Sequence, residues 1–82
     1  MRVERIQEPV RMVAEFTGGS ARPVRFQWAG RTRRVQSVNA RWVDRQGDAY
    51  ALHFSVQADG QTCFLHFDSV AVQWWLDAVV TD

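Results

Sequence analysis

The feature that most constrains the fold is an alternation of apolar and polar residues that leads into an Asp59-Gly60 dipeptide and resumes beyond it. A period of two is typical of a half-buried strand, and Asp-Gly is a strong signal for a two-residue hairpin loop. With Asp59-Gly60 as the loop, three apolar pairs share one face: Val56 opposite Cys63, Phe54 opposite Leu65, and Leu52 opposite Phe67. Turn chemistry and apolar phase therefore predict one register for a hairpin over residues 49–67.

Other segments carry the same period and are separated by turn signals such as Gly18-Gly19. The expected inward positions of the first and last strands are Val10, Met12, Ala14 and Phe16, and Val72, Trp74, Leu76, Ala78 and Val80. Between Val35 and Val38 the apolar positions change phase, which indicates a β-bulge or a sharp bend. No segment shows a convincing helical period. We therefore predict an all-β fold, an antiparallel meander of five to six strands in a strongly bent sheet or a small SH3-like barrel.

Length and composition indicate one small globular domain over residues 1–82, with 46% hydrophobic residues. Residues 1–8 are weakly patterned and are expected to form either a flexible arm or an edge strand. A single cysteine, Cys63, cannot form an internal disulfide. No signal-peptide pattern is present, and no apolar run reaches the roughly 20 residues of a membrane span. The expectation is a cytoplasmic protein that does not associate with membranes.

Charge is distributed unevenly along the chain. Residues 22–42 hold six arginines and no acid, whereas residues 44–82 hold six aspartates and one arginine. An Ala29-Gly30 turn folds the basic stretch on itself. Because Ala29 resists a positive φ, a type I turn with a glycine bulge is favoured over a two-residue type I′ turn. The predicted nucleic-acid-binding residues, expected to form one contiguous surface with at least one tryptophan partly exposed, are Arg25, Trp28, Arg31, Arg33, Arg34, Arg41 and Trp42.

Two classes of function follow from this stretch. Guanidinium groups neutralise phosphates and aromatic rings stack on bases, so single-stranded DNA or a DNA-repair protein is the expected partner of an accessory module. Alternatively, the aromatic residues belong to the core and the arginines are solvated or paired with aspartates. The chain would then be a protein-interaction module, or would self-associate as a homodimer, through an edge strand and the outer aromatic residues Phe64 and Trp75.

The predicted register also places His53 directly opposite His66 on the outer face, with Cβ atoms roughly 5 Å apart. Two imidazoles can share Zn²⁺ or Ni²⁺ if a third ligand is present, and the nominated acids are Asp48 and Asp68. An ordinary surface pair is the preferred interpretation, so no metal and no cofactor are predicted. Cys63 points to the inner face, away from both histidines, and no catalytic triad can be assembled. We therefore interpret the chain as a non-enzyme.

The sequence also resembles a small family of uncharacterised domains found chiefly in high-GC bacteria, alone or as C-terminal modules of Y-family-polymerase-like mutagenesis proteins. The resemblance covers residues 23–82. It rests on Pro23, Arg25-Phe26, Trp28, Gly30-Arg31, Val35, Val38 and Arg41-Trp42, then on Leu65, Phe67-Asp68, Trp74 or Trp75, Leu76 and Asp82. This chain departs from the family at Arg33, where an aromatic residue is usual, and near Gly47, where a tryptophan pair is usual. The resemblance implies a DNA-repair or mutagenesis context and no established activity.

Overall fold

The computed structural model describes residues 1–81, which form a closed barrel of six antiparallel strands. Each strand pairs with the next along the chain, and the last pairs with the first. The strands are β1 (Arg2–Thr17), β2 (Ser20–Trp28), β3 (Arg31–Gln46), β4 (Ala49–Ala58), β5 (Gln61–Asp68) and β6 (Gln73–Thr81). The predicted all-β meander and small barrel are confirmed. No helix in this part of the chain is long and apolar enough to cross a membrane.

Strand β1 closes the barrel because its two halves pair with different neighbours. Residues from Arg2 to Val10 pair with β6, and residues from Arg11 to Thr17 pair with β2. A register shift separates Arg5 from Glu8, and Gln7 takes a positive φ of 53° there. Residues 2–8 therefore belong to the sheet, and the bend at Gln7 lets one long strand serve both sides of the closure.

The β4–β5 hairpin has the predicted register. Val56 lies opposite Cys63, Phe54 opposite Leu65, and the pairing continues without a shift. Asp59 and Gly60 both have positive φ, 52° and 72°, as a type I′ turn requires. The inward side chains of this hairpin, including Ala58, are the centre of the core, which also contains Val10, Ala21, Phe26, Trp74, Leu76 and Val79.

The β2–β3 hairpin differs from the prediction at its turn. Trp28 pairs with Arg31, and the two loop residues, Ala29 and Gly30, have φ of 54° and 74°. This is a two-residue loop with the positive φ values of a type I′ turn, so the predicted glycine bulge is wrong. The twist of a type I′ turn matches the right-handed twist of paired strands, and that match outweighs the cost of a positive φ at Ala29.

Bulges in β3 explain the phase change seen in the sequence. The β3–β4 register shifts once between Val35 and Ser37 and again between Val38 and Ala40. The predicted bulge is thus confirmed, and a second one follows it. Strand β2 pairs with β3 only from Arg31 to Arg34. Within residues 1–81, the rest of β3 therefore has a strand neighbour on its β4 side alone.

The predicted inward faces of the first and last strands are partly wrong. Another register shift lies where Phe64 pairs with Ala78 but Leu65 pairs with Leu76, so Asp77 is the extra residue of β6. Beyond it Val79 is buried, instead of the expected Ala78 and Val80, because one extra residue reverses the faces of a strand. Val72 lies in the turn before β6 and is exposed. Phe16, at the end of β1, is also exposed.

Candidate functional site

A row of four rings crosses the outer face of β3, β4, β5 and β6. Trp42, His53, His66 and Trp75 are successive cross-strand partners. Neighbouring ring centroids lie 5.3, 5.3 and 6.2 Å apart, and the interplanar angles are 4°, 29° and 6°. We call this set the imidazole row. Because each ring faces the next one, the faces of both imidazoles are covered and cannot stack on a nucleobase.

A carboxylate holds each histidine of the imidazole row. Asp44 Oδ2 lies 3.0 Å from His53 Nε2, and Asp77 Oδ1 lies 2.7 Å from His66 Nδ1. Asp44 follows Trp42 by two residues and Asp77 follows Trp75 by two residues, so both acids share the outer face with the rings. If the pairing of β3 with β4 and of β6 with β5 had been known, the same period of two would have identified both acids as partners of the histidines.

The acids nominated from the sequence lie elsewhere. Asp68 accepts hydrogen bonds from the backbone N–H groups of Val70 and Ala71, at 2.9 and 3.1 Å, and so fixes the β5–β6 turn. Asp48 is exposed in the β3–β4 turn. The group that can hold a metal ion consists of His53, His66 and Asp77, whose ligand atoms all lie within 4.8 Å of one another.

The predicted arginine surface is divided between two faces. Arg25 and Arg34 are cross-strand partners on the outer face, whereas Arg33 is the partner of the buried Phe26 and faces inward. Alternation places Arg31 on the same side as Arg33. The five arginines expected in one contiguous surface are therefore split, because residues one apart on a strand point to opposite faces.

The inward arginines are neutralised near the β4–β5 turn. Asp59 Oδ2 lies 3.2 Å from Arg31 and 4.0 Å from Arg33. The Arg33 guanidinium also lies 4.6 Å above the Trp28 ring, and the Arg33 side chain is only 12% exposed. Sequence reasoning does not identify Asp59 as a counter-charge. Its contact with these arginines depends on the pairing of β3 with β4, which places Ala58 opposite Val35 and so brings together residues 28 positions apart.

A smaller basic surface remains on the outer face of β1, β2 and β3. Arg11 pairs with Gln27, and Val13 pairs with Arg25, so Arg11 lies on the same face as Arg25 and Arg34. Within residues 1–81 no carboxylate lies within 4.0 Å of these three arginines. We call them the basic face. Arg11 was missed because it precedes the basic stretch by more than ten residues in sequence.

An apolar groove lies where β2 and β3 separate. Four exposed hydrophobic residues surround it: Phe16, Trp42, Val43 and Tyr50. Two adjoining cavities of about 490 and 180 Å³ share a lining of Gly19 to Ala21, Val43 and Leu52. We call this region the β3 groove. Trp42 is 45% exposed, so at least one of the two tryptophans of the basic stretch is partly exposed, as predicted.

The remaining predicted residues lie beside the groove or in the core. Arg41 pairs with Phe54, and its guanidinium lies 6.0 Å from that ring, at the inner side of the groove. Cys63 is buried, and burial raises the pKa of its thiol above the ordinary value, with Arg33 opposing the shift and Asp59 adding to it. A neutral buried thiol is a poor nucleophile.

No protein-family model, curated protein or solved structure matches the chain. The resemblance to the bacterial domain family therefore stays a prediction. Its last residue, Asp82, lies outside the residues that the structure describes.

Proposed function

We propose that the chain is a non-enzymatic protein-interaction module that takes up an extended apolar and acidic segment of another protein. The segment would add as a strand beside β3, in the β3 groove. The observation that carries this proposal is that β3 separates from β2 after Arg34, in the region where four large hydrophobic side chains remain exposed.

The backbone of β3 provides the first part of the proposed binding surface. A strand with a neighbour on only one side presents unpaired N–H and C=O groups on the other side. From Val35 to Gln46 the pairing of β3 within residues 1–81 is with β4 alone. An added strand would satisfy these groups, and backbone pairing of this kind supplies affinity in many peptide-binding domains.

The side chains beside this edge indicate the chemistry of the partner. Arg41 and Arg45 lie on the groove side, and within the described residues neither has a carboxylate within 4.0 Å. Val43 lies between them and is half exposed. A partner strand would therefore place acidic side chains opposite Arg41 and Arg45, and apolar side chains opposite Trp42 and Val43.

A designed peptide can test this pattern. The probe has the core sequence Glu-Thr-Val-Leu-Glu, and the matched probe carries Lys in place of each Glu. In two-dimensional NMR of the ¹⁵N-labelled chain, we expect the acidic peptide to shift the backbone amides of residues 37–46 and to slow their hydrogen exchange. The Lys peptide should cause little change.

Two variants match each other in residue type and exposure. Val43→Ser removes an apolar contact in the groove, whereas Val13→Ser alters a valine of similar exposure on the basic face. Only Val43→Ser should weaken binding of the acidic peptide. Equal binding of both peptides, or shifts outside β3, would contradict the proposal. A concentration-dependent dimer of the free chain with the same shifted amides would show that a second copy occupies this edge instead.

A second candidate function, single-stranded nucleic-acid binding, is favoured by the basic face. Arg11, Arg25 and Arg34 are outward-facing cations, and like charges opposite each other cost stability unless an anion neutralises them. Phosphate groups are suitable anions, and the bacterial-family resemblance would place such binding in DNA repair or mutagenesis. This candidate uses the outer face of β1–β3 and leaves the β3 groove free.

Fluorescence anisotropy of labelled oligothymidylate at increasing salt tests the second candidate. We expect weak binding that falls as salt rises. The double variant Arg25→Ala with Arg34→Ala should lower the salt slope by about one unit for each phosphate that the protein no longer neutralises. The control is Arg31→Ala with Arg33→Ala, because Asp59 already neutralises that pair. Binding that is absent at low salt, or equally affected by both double variants, would eliminate the candidate.

A further inference from the structure

We propose that His53, His66 and Asp77 form a binding site for one divalent transition-metal ion, and that Zn²⁺ is the ion that fits best. The proposal does not depend on the protein-interaction function, because all three ligands come from β4–β6, although His53 also lines the smaller cavity of the β3 groove. Three side chains from three adjacent strands meet there through the cross-strand pairing of His53 with His66 and the bulge at Asp77.

The spacing of the ligand atoms suits a single ion. One ligand atom from each of the three side chains lies within 4.8 Å of the others. Zinc bonds of about 2.0–2.2 Å at a tetrahedral angle place two ligand atoms about 3.3 Å apart. The 2.7 Å contact between His66 and Asp77 must therefore widen slightly, and His53 must approach. Because the two imidazole rings are stacked, both must turn so that an in-plane lone pair of each points at the ion, while the unbroken β4–β5 ladder holds the backbone.

Asp44 prepares His53 for metal binding. It lies 3.0 Å from His53 Nε2, and a carboxylate at that distance favours the ring proton on Nε2, which leaves the lone pair on Nδ1. Metal-binding histidines commonly donate their second N–H to a carboxylate in this way, which fixes the ring and increases its basicity. Asp44 thus acts as a positioning residue for His53 and lies outside the group of three ligands.

The tryptophans at the two ends of the imidazole row restrict the histidine rings. Trp42 stacks on His53 and Trp75 stacks on His66, with interplanar angles of 4° and 6°. The side chains of His53, His66 and Asp77 are 21%, 23% and 32% exposed, so one side of the site stays open to solvent. A water molecule can reach that side and complete a four-coordinate ion.

Charge and ligand type also favour a transition metal. Within residues 1–81 no arginine lies within 4.0 Å of Asp44 or Asp77, so the two carboxylates have only the histidines as partners. A divalent cation would supply the missing positive charge. Imidazole nitrogen suits Zn²⁺, Ni²⁺, Co²⁺ and Cu²⁺, whereas Mg²⁺ and Ca²⁺ prefer sites made of oxygen ligands alone.

Isothermal titration calorimetry of the metal-free chain with Zn²⁺ tests the site. We expect one ion per chain. Asp44→Asn should weaken binding about 10–100-fold, as is usual when a carboxylate beside a metal-binding histidine is altered, and Asp77→Asn should weaken it further. The matched control is Asp48→Asn, an exposed aspartate in the β3–β4 turn, which should bind Zn²⁺ like the unaltered chain. Near-ultraviolet circular dichroism checks that each variant is folded.

A second measurement needs no variant. Zn²⁺ should shift the ring-nitrogen resonances of both histidines in the unaltered chain, while Mg²⁺ at the same concentration should not. The proposal is overturned if Zn²⁺ does not bind one to one, if Asp77→Asn and Asp48→Asn bind equally well, or if the ring resonances do not move. One ion for every two chains would also overturn it, because the ligands would then come from two copies.

Discussion

The β2–β3 and β4–β5 hairpins start from the same local geometry and end with different surfaces. Both have a two-residue loop whose residues take positive φ. Both place two like residues directly opposite each other on the outer face: Arg25 with Arg34, and His53 with His66. The two hairpins share this geometry in the structure, yet only one of these pairs is surrounded by aromatic rings and carboxylates.

The strands that flank each hairpin account for this difference. The β4–β5 hairpin pairs with β3 on one side and β6 on the other, and these strands supply Trp42 with Asp44 and Trp75 with Asp77. The β2–β3 pairing ends after four residue pairs, and the arginine pair has no carboxylate within 4.0 Å among residues 1–81. The chemistry of a cross-strand pair therefore depends mainly on the side chains that the two flanking strands place beside it.

The largest expected effect concerns packing inside the β4–β5 hairpin. Leu65→Ala should lower the free energy of unfolding by about 2–5 kcal/mol, because Leu65 is 1% exposed and its removal leaves a cavity. Val35→Ala, at a half-buried position of β3, should cost less. Urea denaturation of both variants measures the difference. A destabilisation by Val35→Ala as large as that by Leu65→Ala would show that the β2–β3 side is packed as tightly.

The two turns should respond in opposite directions. Ala29 adopts a positive φ that costs an L-residue roughly 1–2 kcal/mol and that Asn tolerates better, so Ala29→Asn should stabilise the chain by about 1 kcal/mol. Asp59→Ala should destabilise it by a similar amount and also remove the carboxylate beside Arg31. Thermal and urea denaturation show whether each variant is more or less stable than the unaltered chain. If Ala29→Asn does not stabilise, the cost of the Ala29 conformation is smaller than we infer.

The smallest expected effect separates the two outer pairs. Arg34→Thr should raise the free energy of unfolding at low salt by about 0.2–1 kcal/mol, because it removes like charges that lie opposite each other. The gain should shrink as salt screens the repulsion. His66→Thr should lower stability by about 0.2–1 kcal/mol, since it removes the ring that stacks on Trp75 and pairs with Asp77. If both variants change the free energy of unfolding in the same direction, the two outer pairs do not differ as we infer.

Much of the fold could be predicted because short-range signals agree with each other. The Asp59-Gly60 turn and the apolar phase on either side of it specified the β4–β5 register, and the phase change after Val35 indicated a bulge. The inward face of β6 could not be predicted in the same way. Ala78, Val79 and Val80 are all apolar, so the shift at Asp77 leaves no mark in the alternation.

The candidate sites were less predictable than the fold. The pairing of His53 with His66 followed from the hairpin register alone, but their carboxylate partners required the pairing of β3 and β6. Similarly, the sequence could not show that Asp59 neutralises Arg31 and Arg33, because that contact depends on the shifted register between β3 and β4. The unpaired edge of β3 depends on where the β2–β3 ladder ends.

The amino-acid sequence by itself determined the strands, the positions of their turns and the residues opposite each other in the β4–β5 hairpin, because these depend on backbone sterics and a period of two. Only the tertiary structure decided which hairpins became neighbours, where β2 and β3 separate, and which charges met. Those outcomes depend on how far neighbouring strands pair and on single-residue bulges, and a bulge that reverses the faces of a strand need not alter its apolar pattern.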